Sequence, residues 1–264
     1  MKSGQAGSAC RKANRSSVKV SEQMQSTERF GDRAQAYAAY RPSYPDEAID
    51  AVLEGLGDPS TLEIADIGAG TGISSRLFAG RGAHVIAVEP NAEMRQAAVD
   101  HPRVDWQAGS ADRTGLPDQS VDVVVACQAF HWFATPFAMS EMRRIARRRA
   151  AMLQYERDER DAFTKAYGDV VRAYARDDTE TMRMHALATF AHFPKAAASR
   201  SAFTASQQLD LDGLLGRAAS ASYLPNAGPE ADSLRADLKA VFETFESAGK
   251  VELAMVTFVL IADW

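Results

Sequence analysis

The chain has 264 residues, 46% of them hydrophobic, enough to fill one sizeable core, and a formal net charge of −5. That acidity argues against a protein dominated by contacts with nucleic acid or an anionic membrane surface. Cys10 and Cys127 lie far apart and offer neither a disulfide framework nor metal-ligand spacing, so a reducing, cytoplasmic setting is expected, and no apolar run reaches the roughly 18 residues of a membrane span.

Residues 1–26 set Lys2, Arg11, Lys12, Arg15 and Lys19 against the single acid Glu22, among many Ser, Gly and Ala. They lack the apolar centre of a signal peptide and read as a disordered basic N-terminus, with a transit segment as the alternative. The rest, 27–264, reads as one domain. Its first part, 27–57, holds two helices. One, 30–39, has Tyr37 and Tyr40 near its end and is broken by Pro42 and Pro45; the other, 46–56, carries Ile49, Val52, Leu53 and Leu56 on one stripe. A core over 61–157 follows: strand 62–67, a helix closed by Gly80 and Gly82, and strand 84–89. Next come helix 92–99 capped by Asn91, strand 104–107, strand 121–127, a helix opened by Pro136, and strand 150–155. Arg143, Arg144, Arg147, Arg148 and Arg149 read as the solvated end of that last helix, where cations suit the dipole, with phosphate binding as the alternative. From 158 to 200 comes a cap insertion with helix 163–175 and a stretch rich in Met, His, Phe and Ala at 177–200. Residues 201–264 then supply strand 203–209, a helix marked by Leu234, Leu238 and Phe242, and a final strand 251–262. This alternation predicts a doubly wound α/β sheet.

The densest signal is Asp66-Ile67-Gly68-Ala69-Gly70-Thr71-Gly72, set between a strand and a helix. Strand, glycine turn and helix form a nucleotide site in parallel α/β sheets. Glycines admit a tight turn and close ligand approach, and the helix start offers unpaired N–H groups. The third glycine comes one residue too early for the dinucleotide pattern, and Ile73 stands where that pattern has glycine, which disfavours an NAD-dependent dehydrogenase. Glu89 ends the second strand, where this topology places the ribose; each charge-assisted bond to a ribose hydroxyl contributes about 1.5–3 kcal/mol. After strand 121–127, Phe130, His131, Trp132 and Phe133 form an aromatic cluster. His131 is the candidate catalytic base or polar contact and Trp132 a pocket wall, against a plain packing role for both. His185 and His192 have no acidic or cysteine partner at ligand spacing, so no metal is expected.

The turn resembles motif I of class I S-adenosylmethionine-dependent methyltransferases. The span from Tyr37 to about Trp132 is similar to small-molecule methyltransferases such as the trans-aconitate methyltransferases, notably Tyr40-Arg41-Pro42-Ser43-Tyr44-Pro45 and Gln128-Ala129-Phe130-His131-Trp132-Phe133. The resemblance implies a seven-stranded Rossmann-like methyltransferase fold with an N-terminal helical lid, an insertion after strand 5 and an antiparallel last strand. It implies S-adenosyl-L-methionine held by Asp66, Gly68, Ala69, Gly70 and Gly72, by Glu89 and Pro90, and by Gln128. The family more often has Asp at the position of Ser110, so Ser110, the Ala111 backbone or Asp112 are the alternatives for adenine. Tyr37, Tyr40 and Arg41 would fold over the site as a lid, aromatic faces toward the sulfonium. Position 128 does not begin the Asn/Asp-Pro-Pro-aromatic motif of amine and amide methyltransferases. The expected function is methyl transfer to a small molecule, O-methylation of a carboxylate or hydroxyl first, by a monomer or homodimer. The alternatives are C- or N-methylation of a quinone-like or amine acceptor, and a nucleotide-binding module without catalysis.

Overall fold

The computed structural model describes residues 40–194 and 196–264. The segment 1–26 and the expected helix 30–39 with Tyr37 lie outside the described residues.

Helix α1 (Asp46–Leu53) starts after Pro45 with Asp46 and Glu47 in its first turn, where acids suit the helix dipole. Strand β1 (Glu63–Ile67) runs into the glycine turn and α2 (Ile73–Gly80). Strand β2 (His84–Val88) leads to the short α3 (Ala92–Gln96), whose first turn is capped by Asn91 Oδ1 accepting from the Met94 N–H at 3.0 Å. Strands β3 (Val104–Gln107) and β4 (Val121–Cys127) follow. Thr135 caps α4 (Pro136–Ile145), with Pro136 at its favoured first position. The chain then passes directly into β5 (Ala146–Arg157). The second half contains α5 (Ala162–Tyr174), α6 (Thr179–Phe190), β6 (Ala197–Leu209), α7 (Leu211–Ala219), α8 (Pro229–Phe245) and β7 (Val251–Asp263).

The seven strands form one sheet in the order β3-β2-β1-β4-β5-β7-β6. β1 to β5 pair in parallel, and β7 is antiparallel to both β5 and β6. The strand order therefore reverses beside β1, and the carboxyl ends of β1, β2, β4 and β5 share one edge, where open α/β sheets bind ligands. Both faces are buried. Ala65, Ile67, Val124 and Ala126 pack under Met142 and Ile145 of α4 and Phe190 of α6. Ile64, Val123 and Val125 pack under Ile49 and Val52 of α1 and Phe78 of α2. Full burial of side chains this size contributes about 1.5–3 kcal/mol each. A third cluster joins α5, α7 and α8 through Phe163, Tyr167, Leu214, Leu234 and Leu238. No helix among the described residues is long and apolar enough to cross a membrane.

Three expectations need correction. Strand β5 begins at Ala146, so Arg147, Arg148 and Arg149 belong to a strand and not to a solvated helix end. Arg149 is buried: it pairs with Asp263 at 2.6 Å and donates to the Val52 and Glu54 carbonyls at 2.7 and 2.8 Å. Strand β6 starts at Ala197, six residues before the expected start at Phe203, and the 177–200 stretch contains α6. α3 stops at Gln96.

Candidate functional site

Gly68, Gly70 and Gly72 all take left-handed φ values, 71°, 60° and 75°, which a side chain at these positions would strain. Space is equally short: a Cβ on Gly68 would lie 2.7 Å from the Ala129 Cβ, and one on Gly72 would lie 2.8 Å from the Trp106 ring. The turn is tied to β2 by the Gly68 and Ala69 N–H groups, which donate to the Val88 carbonyl at 2.8 and 3.2 Å.

Glu89 closes this cradle. Its Oε2 accepts the Gly70 N–H and its Oε1 the Asn91 N–H, each at 2.9 Å, and only 8% of the residue is exposed. Burial raises its carboxyl above the usual range, despite those two donors. Pro90 follows, exposed, before the capped α3. Asp66 lies beneath the turn with 0% exposure. Its Oδ2 accepts the Ser74 and Ser75 hydroxyls, each at 2.7 Å, whereas Oδ1 is buried without a partner. Burial also raises this carboxyl.

Past β3, the Ser110 hydroxyl donates to Asp112 Oδ1 at 2.6 Å, and Ala111 is buried. This bend is pinned by Glu141 of α4, whose Oε1 accepts both the Thr114 N–H and its hydroxyl, at 3.0 and 2.6 Å. Arg144 donates to the same carboxylate and holds Glu141 down to about 2. Ser110, Ala111 and Asp112 have no hydrogen bond to the glycine turn, so the three alternatives for adenine stay grouped on one bend.

After β4, Gln128 has φ 52°, a conformation that costs a glutamine about 1 kcal/mol or more. The strain is held by its N–H donating to the Leu153 carbonyl at 2.8 Å and its Nε2 to the Tyr155 carbonyl at 2.9 Å. Strain of this kind at the carboxyl edge of a sheet re-aims the chain. His131 and Trp132 follow with ring centroids 4.8 Å apart. His131 is buried, and among the described residues its Nδ1 has no hydrogen-bond partner. Burial, then the charges of Arg183 and Arg41, push its imidazole well below the usual range.

Gln128, His131, Trp132 and Arg41 line one narrow neck of about 30 Å³ together with Arg183 and Tyr223. Arg41 reaches this neck, whereas Tyr40 packs on α7 and does not line it. Arg41 donates to the Tyr155 hydroxyl and the Ser220 carbonyl, both at 3.3 Å. The Tyr40 ring lies flat enough on α7 that a Cβ on Gly216 would meet it at 2.6 Å. The neck shares Arg41, Arg183 and Tyr223 with a neighbouring cavity of about 320 Å³ whose wall includes Tyr155, Tyr167, Arg183 and Arg217. Sequence reasoning missed these four. Tyr155 was reachable, since it lies near the carboxyl end of β5, where its carbonyl accepts from Gln128. Arg183 and Arg217 sit on cap helices with no motif to mark them.

Residues 65–153 match the protein family described as a methyltransferase domain. Over 147 residues the chain is 36% identical to Rv3342, an uncharacterized methyltransferase of Mycobacterium tuberculosis; the match covers 54% of this chain and 58% of that protein. The chain thus spans little more than half the length of this relative. Among solved structures, a candidate methyltransferase of an antibiotic biosynthesis pathway in Anabaena variabilis aligns with a TM-score of 0.62 at 24% identity, over 86% of this chain and 98% of the other. A candidate type II methyltransferase from Anaeromyxobacter dehalogenans aligns with 0.61 at 23% identity, over 85% and 97%. The fold is the Rossmann-like methyltransferase fold, as the strand order and glycine turn require.

Proposed function

We propose that this chain is a class I S-adenosylmethionine-dependent methyltransferase that methylates an oxygen of a small-molecule acceptor. The observation that carries the reading is the glycine turn locked onto Glu89, at the sheet edge that also holds the Gln128–His131–Trp132 neck. The residues suit the cofactor. The cradle is shaped by glycines whose Cβ atoms would collide with Ala129 and Trp106, and Asp66 Oδ1 is a buried acceptor without a partner. Glu89 would take the ribose hydroxyls, the turn and Asp66 the amino-acid end, and the 110–112 bend the adenine. When bound, S-adenosylmethionine supplies an electrophilic methyl carbon.

The chain's own task is then alignment and charge control. Arg41 and Arg183 at the neck favour an acceptor oxygen that is already anionic. Burial first, and then these two charges, lower the proton affinity of His131 and favour its neutral form. A neutral imidazole with a lowered proton affinity is a weak base for an aliphatic hydroxyl and a sound hydrogen-bond partner for an acidic acceptor. This favours an ionised carboxylate, or an acidic hydroxyl, over an alcohol, in keeping with the resemblance to trans-aconitate methyltransferases.

The test is incubation with S-adenosylmethionine and a panel of small acids, phenols, quinones and amines, read by mass spectrometry. Methyl ester or ether products are expected, with turnover falling about tenfold or more in His131→Ala. In wild type the pH profile should show no limb in the ordinary imidazole range of about 6–7. Transfer to carbon or nitrogen, or cofactor binding without transfer to any acceptor, would contradict the reading.

A further inference from the structure

The cavity beside the neck holds a cation that the proposed methyl-transfer step does not use, Arg217, together with Arg183, which the two share. Two of its arginines are neutralised within the wall. Glu159 Oε1 accepts from Arg157 at 3.2 Å and from Arg172 at 2.6 Å, and Glu180 pairs with Arg157 and lies 3.6 Å from Arg172. Glu156 accepts from Gln154 at 2.8 Å. Arg217 is different. It is only 8% exposed, yet its guanidinium meets neutral groups: Gln207 Oε1 at 2.5 Å and the Met255 sulfur at 3.6 Å. Arg183 is half-buried and keeps a buried Nε with no hydrogen-bond partner among the described residues, and its guanidinium stands 6.0 Å from the Tyr223 ring. Among the described residues neither cation has a carboxylate partner, and both line the same cavity of about 320 Å³. Cations withdrawn from water without a counter-ion are costly to keep, and such groups mark places where a ligand supplies the missing charge.

We propose that this cavity anchors an anionic group of the methyl acceptor, a phosphate or carboxylate that is not itself methylated, through Arg183 and Arg217. Its wall pairs these cations with the Tyr155, Tyr167 and Tyr223 rings, so the anchored molecule has a polar end and a flat or apolar body. Arg41, Arg183 and Tyr223 line both this cavity and the neck, so an anchored molecule reaches from one to the other. The local field acts on the wall itself: burial raises the Tyr155 hydroxyl, but Arg41, Arg217 and Arg183 together bring it below its usual range. Assigning the anion to a methyl acceptor rests on the proposed methyl transfer; the affinity of the site for an anion does not.

The experiment is calorimetric titration of the full chain with inorganic phosphate and with succinate, beside neutral 1,4-butanediol, and separately with S-adenosylhomocysteine. Phosphate or succinate should bind and butanediol should not; the tighter of the two anions assigns the anchored group as phosphoryl or carboxylate. Arg183→Gln and Arg217→Gln should each weaken anion binding about tenfold or more, and leave S-adenosylhomocysteine affinity within about twofold. Because Arg217 is buried, Arg217→Lys, which keeps the charge but loses the planar fork, provides a second variant with a smaller loss. Absence of anion binding in wild type, or binding unchanged in Arg183→Gln, would overturn the anchoring site. If anions bind as expected while S-adenosylhomocysteine does not, the anchoring site stands and the methyl-transfer reading falls.

Discussion

Glu89 ends a buried strand with each carboxylate oxygen already holding one backbone N–H, from Gly70 and Asn91. Each oxygen has a further lone pair for a ribose hydroxyl, so the same contacts that shape the turn pre-orient the acceptor. Burial raises its pKa above the usual 4.5. The sign of the consequence follows. A folded pKa above the unfolded one means that the protonated form favours the fold and that ionisation costs stability as pH rises through the folded value. In the proposed ribose contact Glu89 acts in its ionised form, so cofactor affinity should fall as pH is lowered through the raised pKa, starting at a higher pH than for an ordinary glutamate. Glu89→Gln removes the buried charge but sets its NH2 against one of the two backbone N–H donors, so the two effects oppose and the melting temperature at neutral pH should change little. The same substitution should weaken S-adenosylhomocysteine binding by about 1.5 kcal/mol or more and flatten the acid dependence. A mutant that binds as well as wild type would contradict this account.

At the scale of elements, two contacts brace the site from outside it. Glu141 ties α4 to the 110–114 bend through the Thr114 N–H and hydroxyl, and Arg144 holds its pKa down to about 2 from 4.5. A depressed carboxylate contributes stability above its unfolded pKa and loses it as pH falls through the folded one. Glu141→Gln should destabilise by about 1–2 kcal/mol at neutral pH by denaturant unfolding. The gap to wild type should narrow as pH falls from about 4.5 towards about 2, the interval between the unfolded and folded values. The second brace is the seat of Tyr40 on α7. Alanine in place of a helical glycine ordinarily stabilises by about 0.5–1 kcal/mol. At Gly216 the new Cβ would stand 2.6 Å from the Tyr40 ring, so Gly216→Ala should show no such gain in thermal unfolding. It should also lower methyl transfer, because Arg41 is carried by the same segment, while cofactor affinity is kept.

Across the whole molecule, what was legible in the sequence was what backbone geometry demands locally. Three glycines at positive φ, an acid at a strand end and an asparagine cap each announce themselves within a few residues. The central strands were legible because both faces are buried and the runs are apolar. What was hidden depends on distant partners or on missing periodicity. Arg149 looks like a solvated charge until Asp263, 114 residues away, is brought beside it by the β5–β7 pairing. The start of β6 is exposed on both faces from Ala197 to Ala202, so no alternation marks it as a strand. Arg183 and Arg217 acquire meaning only when α6 and α7 close over β5. Calorimetry with S-adenosylhomocysteine on wild type and Gly70→Val tests whether this fold holds S-adenosylmethionine on its glycine turn. Wild type should bind S-adenosylhomocysteine and not NAD, and a Gly70→Val protein that stays folded by circular dichroism should lose S-adenosylhomocysteine binding, because Gly70 sits at φ 60° where a branched side chain strains the turn. Equal binding by the folded mutant, or none by wild type, would contradict cofactor binding on that turn.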